Sequence, residues 1–366
     1  MNKENPKIML HFVNYGKTGG PNIVFQRIKD SGYLKSKYNF VDLFHKIGSG
    51  PKFDIKEILN LIKSIKRERP DIVHIAGMQS AGFHCMLAAF LAGTRNRIVT
   101  THGFSADDLR LSVLKKIILK YIMEPLTLVL ATKVIGISKF TLNNPMVQKL
   151  CKNKSTYIYN MPPDLKNLRQ EEYIRNEFKI SKKDILCTVV SRIVYDKGFR
   201  TLANAINVLS SKNEFNNIKF LIVGDGSYEN EFKKLIYEHV VNNKVIFTGK
   251  RNDVINILKE SDIFVLPTLH ENLGNVFIEA MTVNLPCIGS NVGGVPEVID
   301  DKKTGLLVTL GDHLELANAI LELSSNEILR REMGKNGKIK VESQFSIQTI
   351  SEQYDLLYKG IIEKIK

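Results

Sequence analysis

The chain has 366 residues, more than one hydrophobic core usually organises, so two domains are expected. Charged residues make up 25% and apolar residues 43%, as in soluble globular proteins, and four singly scattered cysteines exclude a disulfide framework or structural zinc and fit a reducing cytoplasm. Residues 1–160 carry 25 Lys and Arg against 10 Asp and Glu, the remainder 27 against 28; the excess therefore serves either an anionic partner of the N-terminal half or solubility alone.

Met1 to Lys7 is polar and shows no secretory apolar core. Short apolar strands are predicted at 7–13, 40–44, 71–76, 97–101, 133–137 and 156–159, with helical patterns at 55–67, 109–122 and 139–150 between them. That alternation predicts a parallel sheet wrapped by helices. Ile75 to Gly93 lacks charge, but Gln79, Ser80 and His84 interrupt it, so a buried strand end and helix is expected rather than a membrane span. After the first strand, Thr18-Gly19-Gly20-Pro21 allows a ligand close to the backbone of Gly19 and Gly20. His102 ends the fourth strand and is expected to touch substrate, whereas His74, inside the third, is expected in the core. Leu109 to Lys120 is basic and amphipathic, either an ordinary surface helix or one lying on an anionic membrane. Aromatic residues are not interleaved with its lysines, so nucleic acid is not an expected partner.

From Asn160 to Lys179 the pattern breaks into a polar stretch, the expected interdomain linker. A second series of strands is predicted at 185–191, 219–223, 244–248, 263–267, 286–290 and 305–309, followed by helices at 313–324, 327–343 and 347–365. The expected domains are residues 1–160 and 181–345, joined by 161–180 and closed by a final segment, 346–366.

Four loops of this second series carry chemistry. Arg192 and Lys197 follow its first strand, where an Arg fork and a Lys point charge suit a diphosphate. Val223-Gly224-Asp225-Gly226 is a tight strand-to-helix turn, and Lys250 and Arg251 close the next strand and border the expected base pocket. Glu271 and Glu279 stand eight positions apart across a loop-to-helix junction, with Gly274 and Asn275 at the helix start. Such a start suits an anion, and the two acids suit sugar hydroxyls on either side of it. Gly293-Gly294 precedes another helix. No Asp-x-Asp pair is present to hold a divalent metal, so no metal and no cofactor are expected.

These residues resemble the retaining GT-B glycosyltransferases of family 4, which include bacterial cell-surface glycan enzymes. The resemblance covers nearly the whole chain and is densest from Ser191 to Glu297. Glu271 and Glu279 resemble the family's E-x7-E pair, Arg192 and Lys197 its diphosphate-binding cations, Gly19-Gly20 its first glycine-rich loop, and His102 its sugar-contacting histidine. Ala131 to Ser138 resembles the strand closing the first domain. It implies two Rossmann-like domains facing a cleft, with the last helix returning to the first. It implies that Glu279 holds the ribose of a nucleotide sugar and Glu271 the transferred sugar. The chain departs from the family at Asn160-Met161-Pro162-Pro163, at Asn272-Leu273-Gly274 after the first acid, and at Asn284 in place of glycine.

The expected activity is metal-independent retaining transfer from a nucleotide-sugar donor, UDP-sugar favoured, to a glycan or lipid-linked glycan. The expected location is the cytoplasm, peripheral to the inner membrane face through the basic N-terminal domain. The alternatives are a GT-B sugar-nucleotide epimerase and a non-catalytic sugar-nucleotide or lipid-binding protein.

Overall fold

Runs of buried aliphatic residues form the central strands of two parallel sheets, as expected where helices cover both faces, while the edge strands are partly exposed. The computed structural model describes residues 5–13, 20–46, 53–107, 111–165 and 173–363. It divides into two units, Met1–Met161 with Ser346–Lys366, and Pro162–Phe345. Gly19, Asp108 to Arg110 and residues 166–172 of the expected linker lie outside the described residues.

In the first unit the strands are β1 (Lys7–Val13), β2 (Asn39–His45), β3 (Ile72–Ala76), β4 (Arg97–Thr101), β5 (Lys133–Gly136) and β6 (Ser155–Tyr157). They lie parallel in the order β2-β1-β3-β4-β5-β6, with the order reversing between β1 and β3. Helix Ile55–Glu68 shows how sequence sets a covering element. Asp54 caps it by accepting from the Glu57 N–H at 2.9 Å, and Arg69 ends it in the left-handed region. Its Ile58, Leu61 and Ile65 stripe packs on Met9, Val73 and Val99 of the sheet. Helix Ser80–Leu91 is mostly buried in the same core, which explains its lack of charge.

Prolines change two expected helices. The 139–150 pattern splits into Lys139–Leu142 and Pro145–Cys151, because Pro145 starts a new helix capped by Asn144. The 109–122 pattern becomes a helical run from Val113 to Leu130 with a π turn at Leu119–Met123 just ahead of Pro125. A proline ring clashes with the carbonyl four residues before it, and the wider turn accommodates it.

The second unit holds β7 (Ile185–Val190), β8 (Ile218–Val223), β9 (Val245–Gly249), β10 (Ile263–Leu266), β11 (Cys287–Ser290) and β12 (Gly305–Val308). Their order is β12-β11-β10-β7-β8-β9, again all parallel, with the reversal between β7 and β10. Residues 173–180, expected in the linker, sit in this unit. Ile174 and Ile180 are buried with Leu186, Leu221 and Ile257, and Glu260 accepts the N–H groups of Tyr173, Ile174 and Arg175. Their apolar spacing was hidden by the charged residues around them. Asn284 takes φ 62°, the left-handed conformation expected of it in a glycine's place.

The last helix, Ile347–Glu363, groups with the first unit. Its Tyr358 hydroxyl meets His74 Nδ1 at 2.8 Å and its Ser351 meets Ser31 at 2.7 Å. Asp355 accepts from Lys37 at 2.5 Å and from Tyr38 at 2.8 Å.

Candidate active site

In open parallel sheets, ligands bind outside the carboxyl ends of strands where the strand order reverses. In the second unit that point lies between β7 and β10. The loop leaving β7 carries Arg192 and Lys197, and the loop leaving β10 carries Glu271. The fold thus brings together the residues that the sequence separates by 74 positions: Lys197 Nζ lies 2.7 Å from Glu271 Oε2, with both side chains largely buried. Arg192, five residues before Lys197 on the same loop, is exposed and makes no ion pair with the described residues.

Backbone contacts lock these loops. The Leu269 N–H donates to the Asp196 carbonyl at 2.8 Å, and the buried Thr268 hydroxyl is 3.2 Å from the same oxygen. The Ile193 N–H donates to the Asp225 carbonyl at 2.7 Å, tying in the turn after β8. Gly198, at φ 75°, lies so close to Pro267 that an added Cβ would stand 1.7 Å from its carbonyl oxygen. Gly293, at φ 59°, stands equally tightly behind Glu271, where a Cβ would meet that carbonyl oxygen at 1.9 Å. The Gly294 N–H donates to the same oxygen at 3.0 Å. Gly293-Gly294 therefore backs the acidic loop. Sequence reasoning missed Thr268 and this packing role, since neither has a local signature.

Gly274 takes φ 90° and caps helix Asn275–Thr282, so Asn275 opens the helix and Glu279 lies one turn inside it. Both Asn275 and Glu279 are partly buried. Lys250 is exposed after β9. Arg251, expected to border the base pocket, is paired with two carboxylates. Its guanidinium grips Glu177 at 2.6 and 3.0 Å and Asp253 at 2.9 and 2.7 Å, stapling residues 173–178 to the sheet edge. Burial opposes ionisation of Asp253, but the Arg251 bonds outweigh it and hold that carboxyl down at about 2.

In the first unit, His102 directly follows β4. Its Nε2 is buried without a hydrogen-bond partner among the described residues, and its ring lies 6.4 Å from that of Phe25. Burial lowers its pKa to about 4, so it is neutral at pH 7. Gly20 opens the helix after β1 and has open space around it. His74 is fully buried, as expected of a core residue, between Tyr358 and Thr100. Among the described residues no group of His, Cys, Asp and Glu is arranged to hold a metal ion. This arrangement offers two cations and an acid where a strand reversal receives ligands, the equipment for holding an anionic leaving group beside a hydroxylated one.

The family described as Glycosyl transferases group 1 matches residues 170–340, and Glycosyltransferase Family 4 matches residues 24–161. A capsular polysaccharide biosynthesis glycosyltransferase of Staphylococcus aureus, CapM, is 30% identical over 321 residues, covering 85% of this chain and 82% of its own. The UDP-Gal:alpha-D-GlcNAc-diphosphoundecaprenol alpha-1,3-galactosyltransferase of Escherichia coli is 28% identical, over 85% of this chain and 81% of its own. The crystal structure of Anabaena HepE in complex with UDP and glucose superposes with a TM-score of 0.78 at 18% identity, covering 97% of this chain and 100% of that one. That likeness carries the GT-B fold.

Proposed function

This chain belongs to the glycosyl transferases of group 1, family 4, and on that premise we propose that it moves a sugar from a UDP-sugar to a hydroxyl of a lipid-linked glycan, with retention, in bacterial surface polysaccharide synthesis. The observation that carries this reading is the Lys197–Glu271 pair at the strand reversal of the second sheet, on loops that also carry Arg192. The Escherichia coli relative is named for a UDP-Gal donor and a diphosphoundecaprenol-linked acceptor, and the HepE structure contains UDP; both support the donor and acceptor classes. That relative's name also supports retention, since UDP-galactose is an α-linked donor and the named product link is α-1,3.

As the glycosidic bond breaks, negative charge builds on the departing diphosphate. Arg192 and Lys197 stabilise it more in the transition state than in the ground state. Lys197 exchanges its Glu271 partner for a phosphate oxygen, which frees the carboxylate to accept hydrogen bonds from the transferred sugar. Glu279 accepts from the ribose hydroxyls, and Gly274 and Asn275 border the phosphate. Neutral His102 meets the sugar as a hydrogen-bonding imidazole. The acceptor attacks on the face from which the diphosphate leaves, and a phosphate oxygen takes its proton. Two protein cations replace a divalent metal in this scheme.

The test is incubation with UDP- and GDP-sugars in chelator, followed by transfer to a polyprenyl-diphosphate-linked sugar. Donor loss is read by mass spectrometry and the new anomeric linkage by NMR. Transfer in chelator with the donor's anomeric configuration kept is expected. An inverted linkage, loss of activity in chelator, or conversion of the donor into an isomer of equal mass would overturn the mechanism.

A further inference from the structure

A cavity of about 640 Å³ opens at the amino ends of β3 and β4, the edge of the first sheet opposite His102. Two turns of the chain wall it. One is drawn from residues 65–71, where helix Ile55–Glu68 passes into β3, and the other from residues 92–96, where helix Ser80–Leu91 passes into β4. Ile362 of the last helix completes the lining, so every wall belongs to the first unit. The volume is that of a small-molecule site. Five-residue strands put roughly 16 Å of sheet between this cavity and the edge that carries His102.

Its charge is unbalanced. Lys66, Arg69 and Arg95 line it, are exposed, and make no ion pair or side-chain hydrogen bond with the described residues. The two acids at hand are engaged elsewhere: Glu68 pairs with Lys7 and Arg67, and Asp71 accepts the Lys7 N–H at 2.7 Å. Cations near a helix C-terminus usually bond its last carbonyls. Here Lys7 does that, reaching the Glu68 carbonyl at 2.9 Å, while the three lining cations donate to none among the described residues. Arg69 also carries backbone strain. It takes φ 46° where its helix ends, whereas the neighbouring helix gives the same left-handed turn to Gly93, at φ 81°. That region is free to glycine and costly to a residue with a Cβ, so a guanidinium stands at a backbone position that favours glycine.

We propose that this cavity binds a nucleoside di- or triphosphate, at a site separate from the donor site of the second unit. Arg69 and Arg95 each offer a planar fork to phosphate oxygens, and Lys66 adds a point charge. Ile65, Pro70 and Ile362 supply an apolar wall for the base. An acidic peptide fits less well, since its carboxylates are spread along a chain whereas the three cations share one small cavity. The inference goes beyond the proposed sugar transfer and does not depend on it.

The experiment is titration calorimetry of the full chain with ATP, UTP and inorganic pyrophosphate, in a Lys197→Ala background that weakens the donor site. A nucleotide is expected to bind, and adding Arg69→Gly with Arg95→Ala should weaken it at least roughly tenfold, because two charge-assisted contacts are lost. Arg69→Gly alone should melt no lower than the native chain, since glycine takes this backbone conformation freely. That separates loss of ligand from loss of fold. Nucleotide binding that is absent from the parent, or unchanged by the two arginine substitutions, overturns the proposal. So does pyrophosphate binding as tightly as the best nucleotide, which would leave the apolar wall without a role. A polyglutamate peptide that binds where no nucleotide does would replace the nucleotide with an acidic protein segment.

Discussion

Lys197 and Glu271 form an ion pair at the strand reversal of the second sheet. Without a ligand each neutralises the other at 2.7 Å, so neither is left as a largely buried, uncompensated charge. On the proposed mechanism a donor gives each a second partner: phosphate for the lysine, sugar hydroxyls for the carboxylate. We expect Lys197→Ala and Arg192→Ala each to lower kcat/KM by roughly two to three orders of magnitude, about 3–4 kcal/mol of transition-state stabilisation. Arg192→Ala should leave the melting temperature unchanged, because that side chain is exposed. Steady-state kinetics beside calorimetry checks both statements; a lowered melting temperature with unchanged kcat/KM would remove these cations from the chemistry.

At the scale of elements, the last helix and the first sheet are joined by buried polar groups rather than by apolar contact alone. Asp355 is the hub. Burial by itself would raise its pKa, but bonds from Lys37, Lys359, Tyr38 and Tyr33 outweigh this and hold it at about 2. A depressed carboxylate contributes stability above its unfolded pKa, near 4, and loses it as pH falls through the folded value. Asp355→Asn is therefore expected to cost about 2 kcal/mol at pH 7, with the gap to the native chain closing between about pH 4 and pH 2. Urea unfolding of both proteins across that range measures the gap, and a pH-independent difference would assign the loss to packing. The loops of the second unit are ordered by a different device, close backbone approach at Gly198 and Gly293. That leaves the side chains of Arg192, Lys197 and Glu271 available for ligand.

For the whole molecule, the two units differ in charge and in titration. The histidines with strongly lowered pKa values, His11 and His74 at about 3 and His102 at about 4, all belong to the first unit, and burial is the leading cause in each. Folded, they stay neutral; unfolded, they take up protons below about pH 6.5. Their contribution to stability is complete above that pH and declines as pH falls toward 4. Calorimetry between pH 7.5 and 5 should show the first unit's transition moving to lower temperature more steeply than the second's. Parallel shifts would mean that these imidazoles are hydrated in solution.

Much of this was written locally. Periodicity marked the strands, because a strand buried on both faces must be apolar throughout, and strand-loop-helix order put Arg192, Lys197 and Glu271 at strand ends. Other features were legible only in part. The charged stretch around Ile174 and Ile180 read as linker because Glu260, distant in sequence, supplies the partner that lets that segment cap and pack. The pairing of Arg251 with Glu177 was not legible, because the two stand 74 positions apart. The Leu109–Lys120 pattern announced an amphipathic helix but not which face the core would take. The sequence by itself determined the two α/β series, the placing of Arg192, Lys197 and Glu271 just after strands, and the asymmetry of charge, since these depend on residue type and short-range spacing. Tertiary structure alone decided the Lys197–Glu271 contact, the pairing of Arg251, and the cavity at the amino ends of β3 and β4, because partner choice and burial depend on groups that the fold brings together from distant parts of the chain.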